Sequence, residues 1–200
     1  MFYRLTLAVL AILSWFALAI QLYIIIKFRN SSVGATLVQY FSYYTILTTI
    51  MVGWICSVLF IKREHPLKRK SILTAILVYI LTVSLTYNII LRSLWQPEGL
   101  QLLADNLLHS IIPVLYLFFW LIFVKKHTLE WKDVLPWLIY PGGYFIYVLI
   151  RGAIYGLYPY PFIDVSQLGY QRVLFNALSV SAVILFFSLL SVGVTKISKK

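Results

Sequence analysis

The sequence predicts an all-α polytopic membrane protein, a single six-helix transmembrane bundle. Of its 200 residues, 62% are hydrophobic and only 12% are charged, whereas soluble globular domains carry about 25% charged residues. The apolar residues form runs of about 18–24, the length that an α-helix needs to cross a bilayer. Basic residues are concentrated between these runs. Together these observations exclude a soluble globular domain and indicate one transmembrane domain over residues 1–200.

Six apolar runs follow one another along the chain, and every connection between them is short. A helix satisfies its own backbone hydrogen bonds, so each run can be exposed to lipid. The first run continues as far as Ile26, and we therefore interpret it as a retained span rather than a signal peptide. The predicted spans are residues 5–26, 38–61, 71–91, 107–124, 134–154 and 172–194.

The basic residues predict the orientation of the spans. Because basic residues in short loops are retained on the cytoplasmic side, both termini and the loops 62–70 and 125–133 are expected to be cytoplasmic. The net charge of +11 then lies beside the membrane, where it faces anionic headgroups, and does not indicate nucleic acid as a partner. The residues concerned are Arg4, Lys62, Arg63, Lys68, Arg69, Lys70, Lys125, Lys126, Lys132, Lys196, Lys199 and Lys200.

Span five contains the main irregularity of the predicted bundle. Pro136 near its start and the Pro-Gly-Gly sequence at 141–143 should kink or locally unwind the helix. Such broken helices line cavities in transporters, although kinks that serve packing are commoner. Gly152 and Gly156, four residues apart at the outer end, would let a neighbouring helix approach closely, and packing is the simpler interpretation.

Polar side chains cluster at one depth, towards the outer ends of spans two to five. Polar groups in hydrocarbon are costly, usually face the interior of a bundle, and often mark functional sites. The outer segment YGLYPYPFIDVSQLGY, which contains Tyr158, Tyr160 and Asp164, is predicted to form a stiff, ordered lid above them. The polar residues at this depth are Thr45, Thr48, Thr49, Asn88, Arg92, Asp105, Asn106, His109 and Arg151.

The sequence ADNLLHSIIP places three polar residues on one helical face. Asp105 lies four residues before His109 and Asn106 lies three before it, so both can reach the imidazole. Pro113 cannot donate to the carbonyl of His109, which frees that acceptor and should bend the helix. A carboxylate or amide could hold one imidazole nitrogen while the other faces a cavity. Alternatively, Asp105 or Asn106 only caps span four and the histidine packs near the interface.

Thr45, in YFSYYTILTT, is a candidate nucleophile. A hydroxyl needs a nearby base to become nucleophilic, and His109 is the one histidine at this depth of the predicted bundle. Threonines in membrane helices mostly bond back to their own helix, and Thr48 is an alternative to Thr45.

The two outer arginines, Arg92 and Arg151, have several possible roles. They could pair with Asp105 or Asp164, or hold a carboxylate or phosphate headgroup. The sequence lacks a phosphate-binding glycine loop, a zinc motif and a cysteine cluster. We therefore expect neither a cofactor nor a metal.

The stretch NLLHSIIP and the later stretch YPGGYFIYVLIRGAIYGLYPYPFIDVSQLGY resemble a known family. They are similar to bacterial multi-pass membrane proteins related to the FAR-17a and androgen-induced-protein family, which includes the androgen-dependent TFPI-regulating protein. The resemblance is strongest over residues 105–170, and the stretch YFSYYTILTT shows a weaker similarity.

This resemblance implies a chemistry. The vertebrate members are threonine hydrolases that cleave fatty acid esters of hydroxy fatty acids with a membrane-embedded threonine and a histidine. The corresponding residues here are Thr45 and His109. The Tyr160-Pro161-Phe162 sequence resembles the family's tyrosine-proline-phenylalanine-leucine-glutamate stretch, but this chain has Asp164 where the vertebrate motif has glutamate.

Two hypotheses of different classes follow. In the first, the protein is an intramembrane lipid-ester hydrolase in which Thr45 attacks the ester in an outer-leaflet pocket. His109 then acts as base, and Asp105 or Asn106 orients the imidazole. In the second, the same polar belt binds or transports a lipid or small amphiphile without catalysis. Both predict membrane lipids or a lipid ester as the partner, and the plasma (inner) membrane as the location if the source is bacterial.

Overall fold

The computed structural model describes residues 1–62, 65–66, 69–94, 96–124 and 129–197. Residues 196 and 197 are described by their backbone alone. Its regular elements are all helical, and no β-strand occurs in these ranges. The chain divides into two compact units, Met1–Thr128 and Leu129–Lys200. Several of the basic residues assigned to the cytoplasmic side lie outside the described residues, namely Arg63, Lys68, Lys125, Lys126, Lys199 and Lys200.

The first unit begins with a long helix, α1 (Phe2–Lys27), a short helix, α2 (Val33–Tyr40), and α3 (Tyr44–Ile61). The side chain of Ser32 caps α2 by accepting a hydrogen bond from the backbone N–H of Ala35, as serine commonly does before a helix. The predicted second span begins at residue 38, but α2 continues to Tyr40 and α3 begins only at Tyr44, six residues later than predicted.

Small and polar side chains fix the packing of α1 against α3. Gly53 faces Ser14 and Trp15, and a Cβ atom at this glycine would lie 3.2 Å from both side chains. Glycine therefore allows the two helices to approach closely, as at many membrane helix interfaces. The indole of Trp15 also donates to Ser57 Oγ at 3.1 Å.

Tyr40, at the end of α2, ties this helix to α1. Its buried hydroxyl donates to the carbonyl of Leu18 at 2.8 Å. Burial raises the pKa of this phenol well above its usual value, because the charged phenolate would be poorly solvated there.

The rest of the first unit consists of helices interrupted by two π-helical turns. Helix α4 (Lys70–Thr86) continues as the π-helix Tyr87–Leu91. Buried polar bonds join α4 to α6: Trp120 donates to Thr74 Oγ1 at 2.8 Å, and Tyr116 donates to the carbonyl of Leu73 at 3.2 Å. The chain between them forms α5 (Gly99–Asn106), the second π-helix (Leu107–Ile111) and α6 (Ile112–Phe123).

The second unit contains three α-helices in its described residues. A 3₁₀ turn (Trp131–Asp133) leads into α7 (Val134–Trp137), followed by α8 (Ile139–Tyr155) and α9 (Val165–Ile197). Gly169 departs from helical geometry inside α9, with φ of 72°.

The segment between α8 and α9 packs on these two helices. Gly156 adopts the left-handed conformation that ends α8, a position that favours glycine. Ile163 is buried with Val148 of α8 and Val173 of α9. Asp164 accepts hydrogen bonds from the Ser166 backbone and hydroxyl and from Gln167 Nε2, and so caps the start of α9.

The predicted all-α fold with six spanning helices is confirmed. Within the described residues, six helical segments are long and apolar enough to cross a membrane. The fourth begins eight residues earlier than predicted and the sixth seven residues earlier. The segments are Phe2–Lys27, Tyr44–Ile61, Lys70–Leu91, Gly99–Phe123, Trp131–Tyr155 and Val165–Thr195.

The irregularity of span five lies elsewhere than the Pro-Gly-Gly sequence suggests. The break falls at Leu138, between α7 and α8, and residues 141–143 are helical. Pro141 occupies the first turn of α8, where its missing N–H is tolerated. Gly152 does allow a close approach, but its partner is the ring of Tyr158 from the following segment rather than a neighbouring helix.

Candidate functional site

Asp105 and His109 are buried at the end of α5 and in the π-helix that follows it, with 5% and 9% of their surfaces exposed. The imidazole Nδ1 lies 3.0 Å from the backbone carbonyl oxygen of Asp105 and 3.9 Å from its carboxylate Oδ1. Because a carbonyl oxygen can only accept, Nδ1 must carry the proton of the neutral ring. The other nitrogen, Nε2, therefore holds the basic lone pair.

The carboxylate of Asp105 is held by two further donors. Tyr87 donates its hydroxyl to Oδ2 at 2.7 Å, and Gln101 donates Nε2 to Oδ1 at 3.2 Å. Gln101 also donates to Gln21 Oε1 of α1 at 3.0 Å. Both carboxylate oxygens therefore act as acceptors.

Tyr87 also fixes the plane of the imidazole. Its ring stacks on that of His109 with centroids 3.7 Å apart and an angle of 7° between planes. One tyrosine thus restrains both members of the pair, His109 through its ring and Asp105 through its hydroxyl. The imidazole is held on one edge and on one face.

The backbone carbonyl of His109 is satisfied from another helix. Pro113 has no N–H to donate to it, and the oxygen instead accepts from Ser84 Oγ at 2.7 Å and from Asn88 Nδ2 at 3.2 Å. Asn88 in turn accepts at Oδ1 from Arg92 at 2.9 Å. The sequence predicts that the His109 carbonyl is free. In the structure its hydrogen bond from Asn88 links the two π-helical segments of the first unit.

A backbone carbonyl holds the imidazole in the structure, whereas the sequence suggests a carboxylate or amide side chain. The main contact is made by the backbone carbonyl of Asp105, with the carboxylate farther away. Asn106, the other candidate, is half-buried.

The candidate nucleophiles lie in the first two turns of α3. Thr45 is 8% exposed, and Thr48 and Thr49 are fully buried. The hydroxyl of Thr49 is buried without a hydrogen-bond partner among the described residues. Thr45 is the second residue of α3 and so lies in its first turn. The backbone N–H groups of a first turn have no acceptor within the helix itself.

The remaining predicted residues belong to the second unit. Asp164 is engaged in capping α9, so the predicted pairing with an arginine is not found among the described residues. Arg151 is buried and donates to the carbonyl of Leu157 at 2.9 Å. Tyr158 covers Gly152, and Tyr160 stacks on Phe162 with ring centroids 5.3 Å apart.

Three residues of the network in the first unit are absent from the sequence-based candidates. Gln101 lies four residues before Asp105 on the same helical face, so its position could have been recognised. Gln21 is a polar residue in an apolar span, which is another usable signal. Tyr87 carries no such signal, because tyrosine is common near membrane interfaces.

The fold and this network define a class: a multi-pass, all-α membrane protein with a buried carboxylate–imidazole pair in its first unit. Within the described residues, no group of three or more His, Cys, Asp or Glu side chains is placed to hold a metal ion. The chain matches no protein-family model, no curated protein and no solved structure.

Proposed function

We propose that the protein is an intramembrane hydrolase of lipid esters, with Thr45 as nucleophile and His109 as general base. The observation that carries the proposal is the contact between Nδ1 and the Asp105 carbonyl, which leaves Nε2 as the basic nitrogen. The resemblance to the androgen-induced-protein family adds the substrate class, fatty acid esters of hydroxy fatty acids. The plasma (inner) membrane is the proposed location if the source is bacterial.

The proposed reaction has two half-reactions. Thr45 Oγ attacks the ester carbonyl carbon while Nε2 of His109 takes the hydroxyl proton, and the departing hydroxy fatty acid then receives that proton. This leaves an acyl-threonine ester. A water molecule attacks this ester as His109 takes its proton, and the proton passes to Thr45 Oγ as the fatty acid leaves.

The surroundings of His109 support its role in both half-reactions. The Asp105 carboxylate lies 3.9 Å from Nδ1, and its negative charge offsets part of the cost that burial imposes on the imidazolium ion formed when Nε2 accepts a proton. The stacked ring of Tyr87 and the Asp105 carbonyl restrict rotation of the imidazole. A base held in one orientation does not lose conformational entropy when the reaction begins.

The position of Thr45 suggests how the oxyanion is stabilised. Acyl transfer needs hydrogen-bond donors for the negative charge that develops on the carbonyl oxygen. Thr45 lies in the first turn of an 18-residue helix that has no side-chain N-cap hydrogen bond. The N–H groups and the positive end of the dipole at such a helix start can supply these donors.

The test is labelling with a fluorophosphonate probe, which modifies activated hydroxyl nucleophiles, followed by mapping of the modified residue. We expect labelling of the wild type on Thr45 and its loss in Thr45→Ala and His109→Ala. Thr82→Ala is the matched control, because Thr82 is a buried threonine that bonds to the Val78 carbonyl of its own helix at 2.8 Å. Labelling that persists in Thr45→Ala and disappears in Thr48→Ala would reassign the nucleophile.

The alternative is a protein that binds or transports a lipid or small amphiphile without cleaving it. This class is distinguished by the same experiment combined with turnover of a lipid ester in liposomes. If the wild type is neither labelled nor active, and yet retains a co-purifying lipid that His109→Ala loses, the binding function replaces the hydrolase.

A further inference from the structure

Arg151 is a buried cation without a counter-charge in the described residues. It lies near the end of α8 and is 7% exposed. One terminal nitrogen donates to the carbonyl of Leu157, and the Nε is buried with no hydrogen-bond partner among the described residues. A buried guanidinium is costly unless it is paired and hydrogen-bonded. A bound anion would therefore stabilise Arg151 in this position.

The carboxylates of the second unit do not supply it. Glu130 pairs with Lys132 at 2.7 Å, and Asp133 accepts from the backbone N–H of Glu130. Both lie about twenty residues before Arg151, on the order of 30 Å along helices of 1.5 Å rise per residue. Asp164 is nearer in sequence, but its two oxygens accept from Ser166 and Gln167.

The guanidinium keeps a suitable edge for an oxyanion. Leu157 uses one terminal nitrogen of Arg151, and Nε with the other terminal nitrogen forms a planar fork that matches two oxygens of one phosphate or carboxylate. Arg92 does not offer this arrangement, because it is exposed and donates to Asn88. The structure thus separates the two outer arginines that the sequence treats alike.

The surroundings of Arg151 favour a lipid over a soluble anion. Arg151 lies four residues before the end of the apolar segment Trp131–Tyr155, at the level where headgroups meet hydrocarbon. Tyr147 and Ile154, at i−4 and i+3 from the arginine, share its helical face and are 42% and 67% exposed. Apolar side chains beside a buried cation suit acyl chains attached to an anionic headgroup.

We propose that Arg151 binds the phosphate of an anionic phospholipid, whose acyl chains lie along α8. Because Nε is buried in this structure, the side chain turns when the lipid binds, so that the phosphate accepts hydrogen bonds from the Nε edge of the guanidinium and neutralises its charge. This site belongs to the second unit and does not depend on ester hydrolysis, so it stands or falls separately from the proposed function.

The test measures binding to the full chain in detergent by native mass spectrometry with three ligands. Phosphatidylglycerol has both phosphate and chains, diacylglycerol has the chains alone, and glycerol 3-phosphate has the phosphate alone. We expect phosphatidylglycerol to bind at least about tenfold more tightly than either partial ligand, the size of one charge-assisted hydrogen bond or more. Equal binding of glycerol 3-phosphate would make this a soluble-anion site, and equal binding of diacylglycerol would remove the phosphate contact.

Variants then locate the site. Arg151→Gln should weaken phosphatidylglycerol binding at least about tenfold, and Arg151→Lys should recover part of it through charge without the fork. The control is Arg172→Gln, because Arg172 is an exposed arginine of the same unit that lies over the ring of Phe175. Unchanged binding in Arg151→Gln would overturn the proposal. The comparison of the three ligands on the wild type holds even if that variant does not fold.

Discussion

Replacing Tyr87 by phenylalanine tests whether Asp105 acts as a charged acceptor in the first unit. The substitution removes one hydroxyl, which donates to Asp105 Oδ2 at 2.7 Å, and keeps the ring that stacks on His109. A hydrogen bond to a charged group contributes about 1.5–3 kcal/mol, and its loss leaves a buried oxygen without that donor. We therefore expect Tyr87→Phe to lower the free energy of unfolding by about 2 kcal/mol.

The matched control is Tyr116→Phe. Tyr116 is fully buried and donates to a neutral acceptor, the Leu73 carbonyl, at 3.2 Å, a bond that contributes about 1 kcal/mol. Both variants can be unfolded in mixed micelles with increasing dodecyl sulfate, followed by far-ultraviolet circular dichroism. If Tyr87→Phe costs no more than Tyr116→Phe, Asp105 is not an ionised partner and the support it gives to His109 is lost.

Three further predictions concern the second unit. Asp164→Ala should cost about 1 kcal/mol of stability by removing the cap of α9, whereas Asp164→Asn should keep most of it; equal losses would show that the cap is not what stabilises this end. Gly156→Ala should cost about 1–2 kcal/mol because φ is +68° there, whereas Gly142→Ala, in a regular helix with open space around it, should stabilise by up to about 1 kcal/mol; the reverse order in thermal melts would contradict these backbone conformations. Burial, Tyr170 and Asp164 each raise the pKa of the Tyr158 phenol, so Asp164→Asn should lower that pKa; an alkaline titration of phenolate absorbance, with Tyr158→Phe subtracted, should show no change if this carboxylate does not act on Tyr158.

The six spans were predictable because hydropathy and length are one-dimensional properties of the chain. Their starts were less so. The fourth spanning segment includes Gly99–Asn106, where Gln101, Asp105 and Asn106 lower the local hydropathy although the backbone is already helical. The sixth starts at Val165 because Asp164 caps it, and a capping aspartate is hard to distinguish from an ordinary loop residue.

The candidate site was predictable where its contacts are local. The spacing of Asp105 and His109 and the carbonyl freed by Pro113 follow from helix geometry within one segment. The contacts of Tyr87 and Gln21 depend on how α4 and α1 are rotated against α5, and a single sequence does not specify that rotation. For the same reason the sequence could not distinguish Arg92 from Arg151, whose difference lies in burial and partners.

The polar side chains in and around the two π-helical segments are of two kinds. Some satisfy a backbone carbonyl that would otherwise lack a donor, and others do not. Pro113 leaves the His109 carbonyl without its helical donor, and Ser84 and Asn88 replace that donor. An apolar side chain at position 109 would leave this arrangement intact, because only the backbone oxygen is involved. The second kind consists of the His109 imidazole, the Asp105 carboxylate and the Tyr87 hydroxyl. Their contact with the backbone is made by the imidazole, to the Asp105 carbonyl oxygen. Burying these groups among apolar helices costs stability that packing alone would not require, which is the reason for proposing a function for the imidazole, whereas Ser84 and Asn88 satisfy a backbone oxygen.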